Sequence, residues 1–229
     1  MAATAIVTGG SRGLGLAVAK DLAGDGWHVC IDGRDADAVR AAAAAIGAHA
    51  VPGDIAQPAH RHELVEAARS TGRLDLVVNN ASTLGASPLP ALRDLRLEVL
   101  EYVYRVNVVA PLALVQEALP LLLAVRGAVL NITSDAAVEA YEGWGGYGSS
   151  KAALEQLSRV LAVEEPLLQV WWLDPGDMRT QMHQEAFPGE DISDRPEPST
   201  VVPAIRALLK QRPASGRLRA AEPLAGARP

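Results

Sequence analysis

The sequence has little cysteine, few aromatic residues and no cluster of positive charge, and these shortages exclude several classes of protein. The single cysteine, Cys30, rules out an internal disulfide and lies in the apolar run HVCI, where we expect a buried, unreactive thiol. A net charge of −6 without a basic tract argues against nucleic acid as a partner. No metal site is predicted.

The sequence also shows no recognisable targeting signal. The first residues, MAATAIVTGG, contain no basic segment followed by a long apolar core, so no signal peptide is expected. No run reaches the roughly 18 apolar residues that a membrane span needs. We therefore expect a cytoplasmic protein without a membrane partner.

Apolar residues make up 49% of the 229-residue chain, enough for a large core. Short apolar runs alternate with longer helical patterns, which predicts six strands and a possible closing seventh. The predicted strands are 4–9, 28–32, 48–54, 74–80, 127–134, 167–176 and 215–220. The predicted helices are 14–23, 36–46, 58–71, 92–124 (interrupted by Pro111 and Pro120), 147–165 and 200–211.

Continuous apolar strands separated by helices are typical of a parallel sheet covered on both faces. We therefore predict an α/β protein, a single Rossmann-type doubly wound domain over residues 1–229 with about seven strands. Ligands of such folds bind at the carboxyl ends of the strands. After residue 177 the chain becomes polar and proline-rich, which predicts a substrate lid at about 178–198, with His183 exposed on it.

The stretch TGGSRGLG, Thr8 to Gly15, directly follows the first strand and opens the first helix. Glycines in that place allow a tight turn and a close approach of the backbone to a pyrophosphate. A plain structural turn would explain the same string. The spacing of Gly9, Gly13 and Gly15 resembles the T-G-x-x-x-G-x-G signature of the short-chain dehydrogenase/reductase family.

The resemblance continues to about Thr180 through motifs in the family's order. GDI contains Asp54 at the family's adenine position, and NNAS (79–82) is similar to N-N-A-G with Ser82 in place of glycine. Asn107, Ser134, the Y-x-x-x-K pair Tyr147 and Lys151, and PGDMRT (175–180) follow. The cofactor residues that the resemblance implies are Gly9, Ser11, Arg12, Gly13, Leu14, Gly15, Arg34, Asp54, Ile55, Asn80, Ala81, Tyr147, Lys151, Pro175, Gly176, Met178 and Thr180.

The choice between NAD and NADP depends on charge at the end of strand two. Our alignment places Gly33 at the position where an acid would bind the ribose of NAD, followed by Arg34, and Arg12 lies in the glycine turn. This favours NADP(H) over NAD(H). A shift of one residue would instead make Asp32 the ribose acceptor.

Tyr147 and Lys151 are separated by four residues, so both side chains lie on one helix face. A nearby ammonium should lower the phenol's pKa, and the nicotinamide's positive charge should lower it further. Tyr147 is then the general acid/base. The resemblance implies that Ser134 orients the substrate oxygen and that Asn107 positions a water of the proton relay.

These motifs together predict a ketoreductase that transfers a hydride between nicotinamide C4 and a carbonyl or secondary alcohol substrate. An epimerase, dehydratase or cyclase using the same Tyr–Lys pair, or a non-enzymatic nucleotide sensor, stays open as an alternative. The helices near 94–124 and 147–165 carry broad apolar faces, and the resemblance implies that they form a homodimer or homotetramer.

Overall fold

Seven short segments of the described residues form the strands; most are apolar runs rich in β-branched or small residues, whereas β7 has the sequence GRLR and is only partly buried. The structure is a computed structural model that describes residues 2–222. Residue 1 and residues 223–229, which the predicted domain includes, lie outside the described residues. The strands are β1 Thr4–Val7, β2 His28–Gly33, β3 His49–Pro52, β4 Leu76–Asn79, β5 Ala128–Ile132, β6 Gln169–Asp174 and β7 Gly216–Arg219.

Eight α-helices connect and cover these strands. They are α1 Gly13–Gly24, α2 Ala36–Ile46, α3 Pro58–Arg69, α4 Leu97–Tyr104, α5 Ala110–Val125, α6 Gly145–Glu164, α7 Gln181–Ala186 and α8 Val202–Gln211. Local chemistry fixes several of their ends. Asp35, for example, caps α2 by accepting hydrogen bonds from the backbone N–H groups of Asp37 and Ala38 at 3.1 and 3.0 Å.

All seven strands are parallel and lie in the order β3-β2-β1-β4-β5-β6-β7. The predicted doubly wound sheet, including its closing strand, is confirmed. After β3 the chain crosses to the other side of β1, so the strand order reverses between β1 and β4. The carboxyl ends of those two strands therefore form the crevice in which doubly wound folds bind their ligands.

Side chains alternate along each strand into two cores, one on each face of the sheet. Ala5 and Val7 face a core closed by α1, α2 and α8, whereas Ile6 faces a core closed by α3 and α5. Strands β1, β4 and β5 are buried along their whole length. Burial on both faces explains why their sequences read as continuous rather than alternating apolar runs.

The helical region predicted at 92–124 is divided differently from the prediction. A π-helical segment, Arg105–Val109, joins α4 to α5, and α5 continues through Pro120. Pro111 lies in the first turn of α5 directly after the π-helical segment, so its missing N–H falls where the helical hydrogen-bond pattern is already irregular. The predicted interruptions at the two prolines are therefore wrong.

The continuous helical stretch Leu97–Val125 contains an 18-residue window apolar enough to cross a membrane by length and composition. Core helices of water-soluble proteins meet the same criterion. Leu114 and Leu122 on this stretch are fully buried against the sheet, and Asn107 is 0% exposed within a polar network. These contacts identify the stretch as a core helix that packs on the sheet.

Candidate active site

Three of the predicted catalytic residues meet at the carboxyl end of β5. Ser134 lies two residues after the end of β5, and Tyr147 and Lys151 lie one turn apart near the start of α6. Tyr147 is 8% exposed and Lys151 is 2% exposed. The Lys151 Nζ atom donates to the Ile132 carbonyl oxygen at 2.8 Å and lies 5.4 Å from the centre of the Tyr147 ring.

Burial dominates the acid–base properties of this pair. It raises the pKa of the Tyr147 phenol, while the nearby hydroxyls of Ser82 and Ser134 act in the opposite direction. It also lowers the pKa of the Lys151 ammonium to about 8. The expected lowering of the tyrosine pKa by the ammonium is therefore wrong for the protein alone, because desolvation outweighs the other contributions. Tyr147 is a protonated phenol at neutral pH and thus a proton donor.

Asn107 lies behind the cleft rather than on its wall. Its Oδ1 atom accepts from the Thr83 backbone N–H at 2.9 Å and from the Ser82 hydroxyl at 3.1 Å. Its Nδ2 atom donates to the Thr83 carbonyl at 2.9 Å and to the Ser150 hydroxyl at 3.0 Å. The side chain thus ties the loop after β4 to α6 at the residue before Lys151, and all of its polar atoms have partners within the protein.

Two further residues, beyond those predicted to be catalytic, join the site. Asp135 accepts from the Ser134 hydroxyl at 2.9 Å and from the Tyr141 hydroxyl at 3.0 Å. Ser82, which stands where the family motif has glycine, contributes a hydroxyl that contacts Tyr147. Its departure from the motif was visible in the sequence, but the contact with the tyrosine was not.

The glycine turn leaves no room for side chains. Gly9 has φ +65°, a conformation that residues other than glycine rarely adopt. A Cβ atom on Gly15 would lie 2.4 Å from the Gly9 carbonyl oxygen and 2.5 Å from Asn80 Nδ2. Asn80 Nδ2 also donates to the Thr8 carbonyl at 2.9 Å, so the turn is held against the end of β4.

One cleft of about 1790 Å³ runs from the glycine turn to the lid segment. Its walls include every predicted cofactor residue except Gly15, which lies beneath the turn. These are Gly9, Ser11, Arg12, Gly13, Leu14, Arg34, Asp54, Ile55, Asn80, Ala81, Tyr147, Lys151, Pro175, Gly176, Met178 and Thr180. Ser134 lines the same cleft, whereas Asn107 does not.

Asp32 and His60 form a buried pair beneath the glycine turn. Asp32 is 1% exposed, and its two carboxylate oxygens accept from the Gly9 N–H at 2.6 Å and bind His60 Nε2 at 3.0 Å. Arg34, by contrast, is exposed at the edge of the cleft and donates to the Tyr102 hydroxyl at 3.2 Å. Sequence analysis gave His60 no role, and no local signal in the helix that carries it predicts the contact.

Buried charges also support the loop that carries Ser134. Glu155 is 2% exposed and accepts from the Thr133 hydroxyl at 2.8 Å and from Arg217 Nε at 2.9 Å. Arg217 also donates to the Ser134 carbonyl at 3.2 Å and lies 3.4 Å from Asp174. Strand β7 therefore contributes a cation to the floor of the site, although it lies at the sheet's edge.

The predicted lid contains a short helix, α7, that begins at Thr180. The Thr180 hydroxyl caps it by accepting from the His183 backbone N–H at 3.1 Å. Two contacts hold this segment over the cleft: Arg12 donates to Gln181, and the Ser87 hydroxyl donates to the Glu185 carbonyl at 2.6 Å. The His183 side chain is only 9% exposed, so the expectation that it faces solvent is wrong.

Sequence comparison places these features in a known family. Residues 3–191 match the family model for short chain dehydrogenases. A 3-oxoacyl-[acyl-carrier-protein] reductase of rhamnolipid biosynthesis from Pseudomonas aeruginosa is 39% identical over 171 residues. That alignment covers 70% of this chain and 66% of the reductase, so it spans slightly less than two thirds of the relative's length.

Solved structures match over nearly the whole chain. A short chain dehydrogenase from Shigella flexneri, complexed with NADP, superposes with a TM-score of 0.89 at 29% identity. The match covers 96% of this chain and 97% of that structure. A short chain dehydrogenase from Escherichia coli, complexed with NADPH, gives the same TM-score, identity and coverage.

Proposed function

The chain belongs to the short-chain dehydrogenase family, and we propose that it is an NADP(H)-dependent oxidoreductase that interconverts a carbonyl compound and a secondary alcohol. The observation that carries the proposal is the shared cleft. Ser134, Tyr147 and Lys151 line the same cleft as the glycine turn, so a dinucleotide on the turn would reach the phenol. The roles of the individual residues below are part of the proposal.

The residues of the cleft fit a dinucleotide. A Cβ atom on Gly15 would collide with the Gly9 carbonyl oxygen from beneath, so glycine there allows the tight turn whose backbone lines the cleft and could approach a pyrophosphate. Asp54 and Ile55 would hold the adenine, and Met178 and Thr180 the carboxamide. When bound, the cofactor supplies or accepts a hydride at C4 of its nicotinamide, and its oxidised form adds a positive charge.

The charges near the ribose end support NADP(H). Arg12 and Arg34 both line the cleft, and two guanidinium groups suit a 2′-phosphate. Asp32 is 1% exposed, and the Gly9 N–H and His60 hold its two carboxylate oxygens beneath the turn. Both of its oxygens therefore have other partners, which favours the alignment that places Gly33 at the acidic position.

In the direction of reduction, Tyr147 donates its proton to the carbonyl oxygen as the carbonyl carbon receives the hydride. The burial that keeps the phenol protonated suits this role. Lys151, with a pKa of about 8, can hold or release a proton near neutral pH and so can return one to the tyrosinate. Ser134 now donates to Asp135, so its hydroxyl must turn away from that carboxylate to donate to the substrate oxygen.

The cofactor assignment is tested by titrating the protein with NADPH and with NADH and following nicotinamide fluorescence. We expect tighter binding of NADPH, and we expect Arg34→Ala to remove most of that preference. Arg40→Ala is the matched control, because Arg40 is an exposed arginine on the next helix that pairs with Asp37. Preference for NADH would contradict the alignment of strand two and make Asp32 the ribose acceptor.

The chemistry is tested with Tyr147→Phe. This variant should bind NADPH as the wild type does but lose turnover by about 10²–10⁴-fold, the usual contribution of a positioned acid–base group. Products must show net oxidation of NADPH with each ketone reduced. Turnover without net cofactor consumption would favour an epimerase, dehydratase or cyclase, and a fully functional Tyr147→Phe protein would favour a nucleotide sensor.

The same proposal includes assembly as a homodimer or homotetramer. Apolar side chains on α4, on the segment before α5 and on α6 face outward: Leu97 is 69% exposed, Val109 54%, Val160 41% and Val163 81%. Exposed apolar patches of this kind mark protein interfaces. Light scattering during size-exclusion chromatography should give a multiple of 24.0 kDa, and Val163→Asp should reduce it.

A further inference from the structure

The Tyr147 phenol lies in a small apolar cluster that is separate from the two cores beside the sheet. Four residues of that cluster also line the cleft, and we call them the apolar pocket: Leu84, Trp144, Met182 and Ala186. They come from the loop after β4, the start of α6 and α7, so three separate elements enclose the reacting hydroxyl. A substrate carbonyl that reaches Tyr147 must therefore place its neighbouring atoms against apolar side chains.

Trp144 gives this pocket a fixed flat surface. Its indole meets the Tyr147 ring nearly edge-on, with 5.6 Å between ring centres and an angle of 74°. Phe187 packs against the same indole at 5.9 Å. Two rings thus hold the half-buried indole beside the reacting hydroxyl, and a flat apolar group of a substrate gains most from edge-to-face or offset contact with such a ring.

Two carboxylates exert a negative field on the phenol, opposed by the Lys151 ammonium 5.4 Å from the centre of its ring. Besides burial, the carboxylates of Asp135 and Asp174 raise the pKa of Tyr147. His183 also lines the cleft, and its Nδ1 atom lies 3.8 Å from a carboxylate oxygen of Asp177. A carboxylate on the substrate would meet these charges after losing its hydration, which is strongly unfavourable.

The cations nearest this end of the cleft already have partners within the protein. Arg179 pairs with Glu197. Lys151 is 2% exposed and donates to a backbone carbonyl. A substrate anion would have to displace one of these contacts to find a counter-charge.

We propose that the apolar pocket selects a neutral ketone with an aromatic ring next to its carbonyl and rejects ketones whose ring carries a carboxylate. The inference rests on the proposed function, because it names the substrate class of that same site. Trp144 is the specificity-determining residue for the ring, and the negative field around Tyr147 determines the charge preference.

The experiment compares 4′-methylacetophenone with 4-acetylbenzoate, which share a ring and a ketone and differ by a methyl group or a carboxylate. Cyclohexyl methyl ketone is a third substrate, whose ring is neutral but not flat. NADPH oxidation and product chromatography give kcat/KM for each, and the corresponding alcohols are assayed with NADP. We expect kcat/KM for 4′-methylacetophenone to exceed that for 4-acetylbenzoate by at least about tenfold. It should exceed kcat/KM for the cyclohexyl ketone by a smaller factor.

Two variants separate the two determinants. Trp144→Leu keeps an apolar side chain but removes the ring, so it should abolish the preference for the aromatic over the cyclohexyl ketone, mainly through KM. Asp135→Asn should reduce the ratio of kcat/KM between the neutral and the charged ketone. NADPH affinity should be unchanged in Trp144→Leu, which shows that the cofactor site is intact.

The outcomes distinguish this inference from the proposed function. Equal or faster reduction of 4-acetylbenzoate, or an unchanged ring preference in Trp144→Leu, would overturn the inference and leave the oxidoreductase proposal standing. Absence of turnover with all three ketones and their alcohols, in protein that binds NADPH, would overturn both.

Discussion

Lys151 destabilises the folded protein at neutral pH, and its replacement by methionine should reveal by how much. Burial lowers the pKa of Lys151 from 10.5 to about 8. Below about pH 8 the lysine is charged in both states, so the folded state bears the full cost of a buried ammonium. Since one pKa unit corresponds to about 1.4 kcal/mol, that cost is about 3 kcal/mol.

The sign of the pH dependence follows from proton binding. Between about pH 8 and 10.5 the unfolded chain holds a proton on Lys151 that the folded protein has released, so this residue makes stability rise with pH in that window. Methionine has no such proton. The stability advantage of Lys151→Met over the wild type should therefore shrink by about 3 kcal/mol from pH 7 to pH 10.5.

At pH 7 itself, Lys151→Met should be more stable than the wild type by less than about 3 kcal/mol. Lys151 donates to the Ile132 carbonyl at 2.8 Å, and an unpartnered buried carbonyl costs about 1–3 kcal/mol. The assay is urea unfolding of both proteins from pH 7 to 10.5, with Lys210→Met, an exposed lysine, as the control. Parallel stability curves for Lys151→Met and the wild type would refute the reasoning, because they would show that Lys151 titrates alike in the folded and unfolded states.

Three further predictions concern single side chains. Gly15→Ala should weaken NADPH binding by tenfold or more in fluorescence titration, because its Cβ would lie 2.4 Å from a backbone carbonyl oxygen of the turn, whereas Gly24→Ala on the same helix meets nothing within 4 Å and should bind normally. Burial raises the pKa of the Cys30 thiol to about 11, so this residue should react with a disulfide reagent only after denaturation. Prompt reaction of the folded protein would contradict its burial. Ser82→Gly restores the family motif but removes a hydroxyl that lowers the pKa of Tyr147, so the rise of alcohol oxidation with pH should move to higher pH; an unchanged profile would mean that the hydroxyl does not act on the phenol.

The fold was predictable because its signals are local. Strands buried on both faces must be apolar throughout, and the glycine turn and the Tyr147–Lys151 pair each lie within one short segment. The division of the long helical region was not predictable in the same way. Pro111 directly follows the π-helical segment, and Pro120 lies within α5, so two residues that usually end helices do not end this one.

The supporting contacts of the site could not be predicted, because they join residues that are distant in the chain. Glu155 contacts Arg217 only because β7 lies next to β6. The sequence of a single segment does not determine the order of the strands in the sheet. The pKa of Tyr147 shows the same limit. Spacing along a helix places an ammonium near the phenol, but the desolvation that dominates the pKa comes from elements packed around both.

Asp32 shows how a local sequence signal and a contact between distant residues combine. Alternation along β2 left two alignments open, and the contact with His60, 28 residues away in sequence, determines where the carboxylate points. The same carboxylate holds the Gly9 N–H, so it is part of the support of the glycine turn. An Asp32 carboxylate turned toward a ribose hydroxyl would leave the position in which it now binds the Gly9 N–H and His60. Preference for NADH would therefore require the carboxylate to move as well as a different alignment, and the buried contacts of Asp32 favour NADP(H).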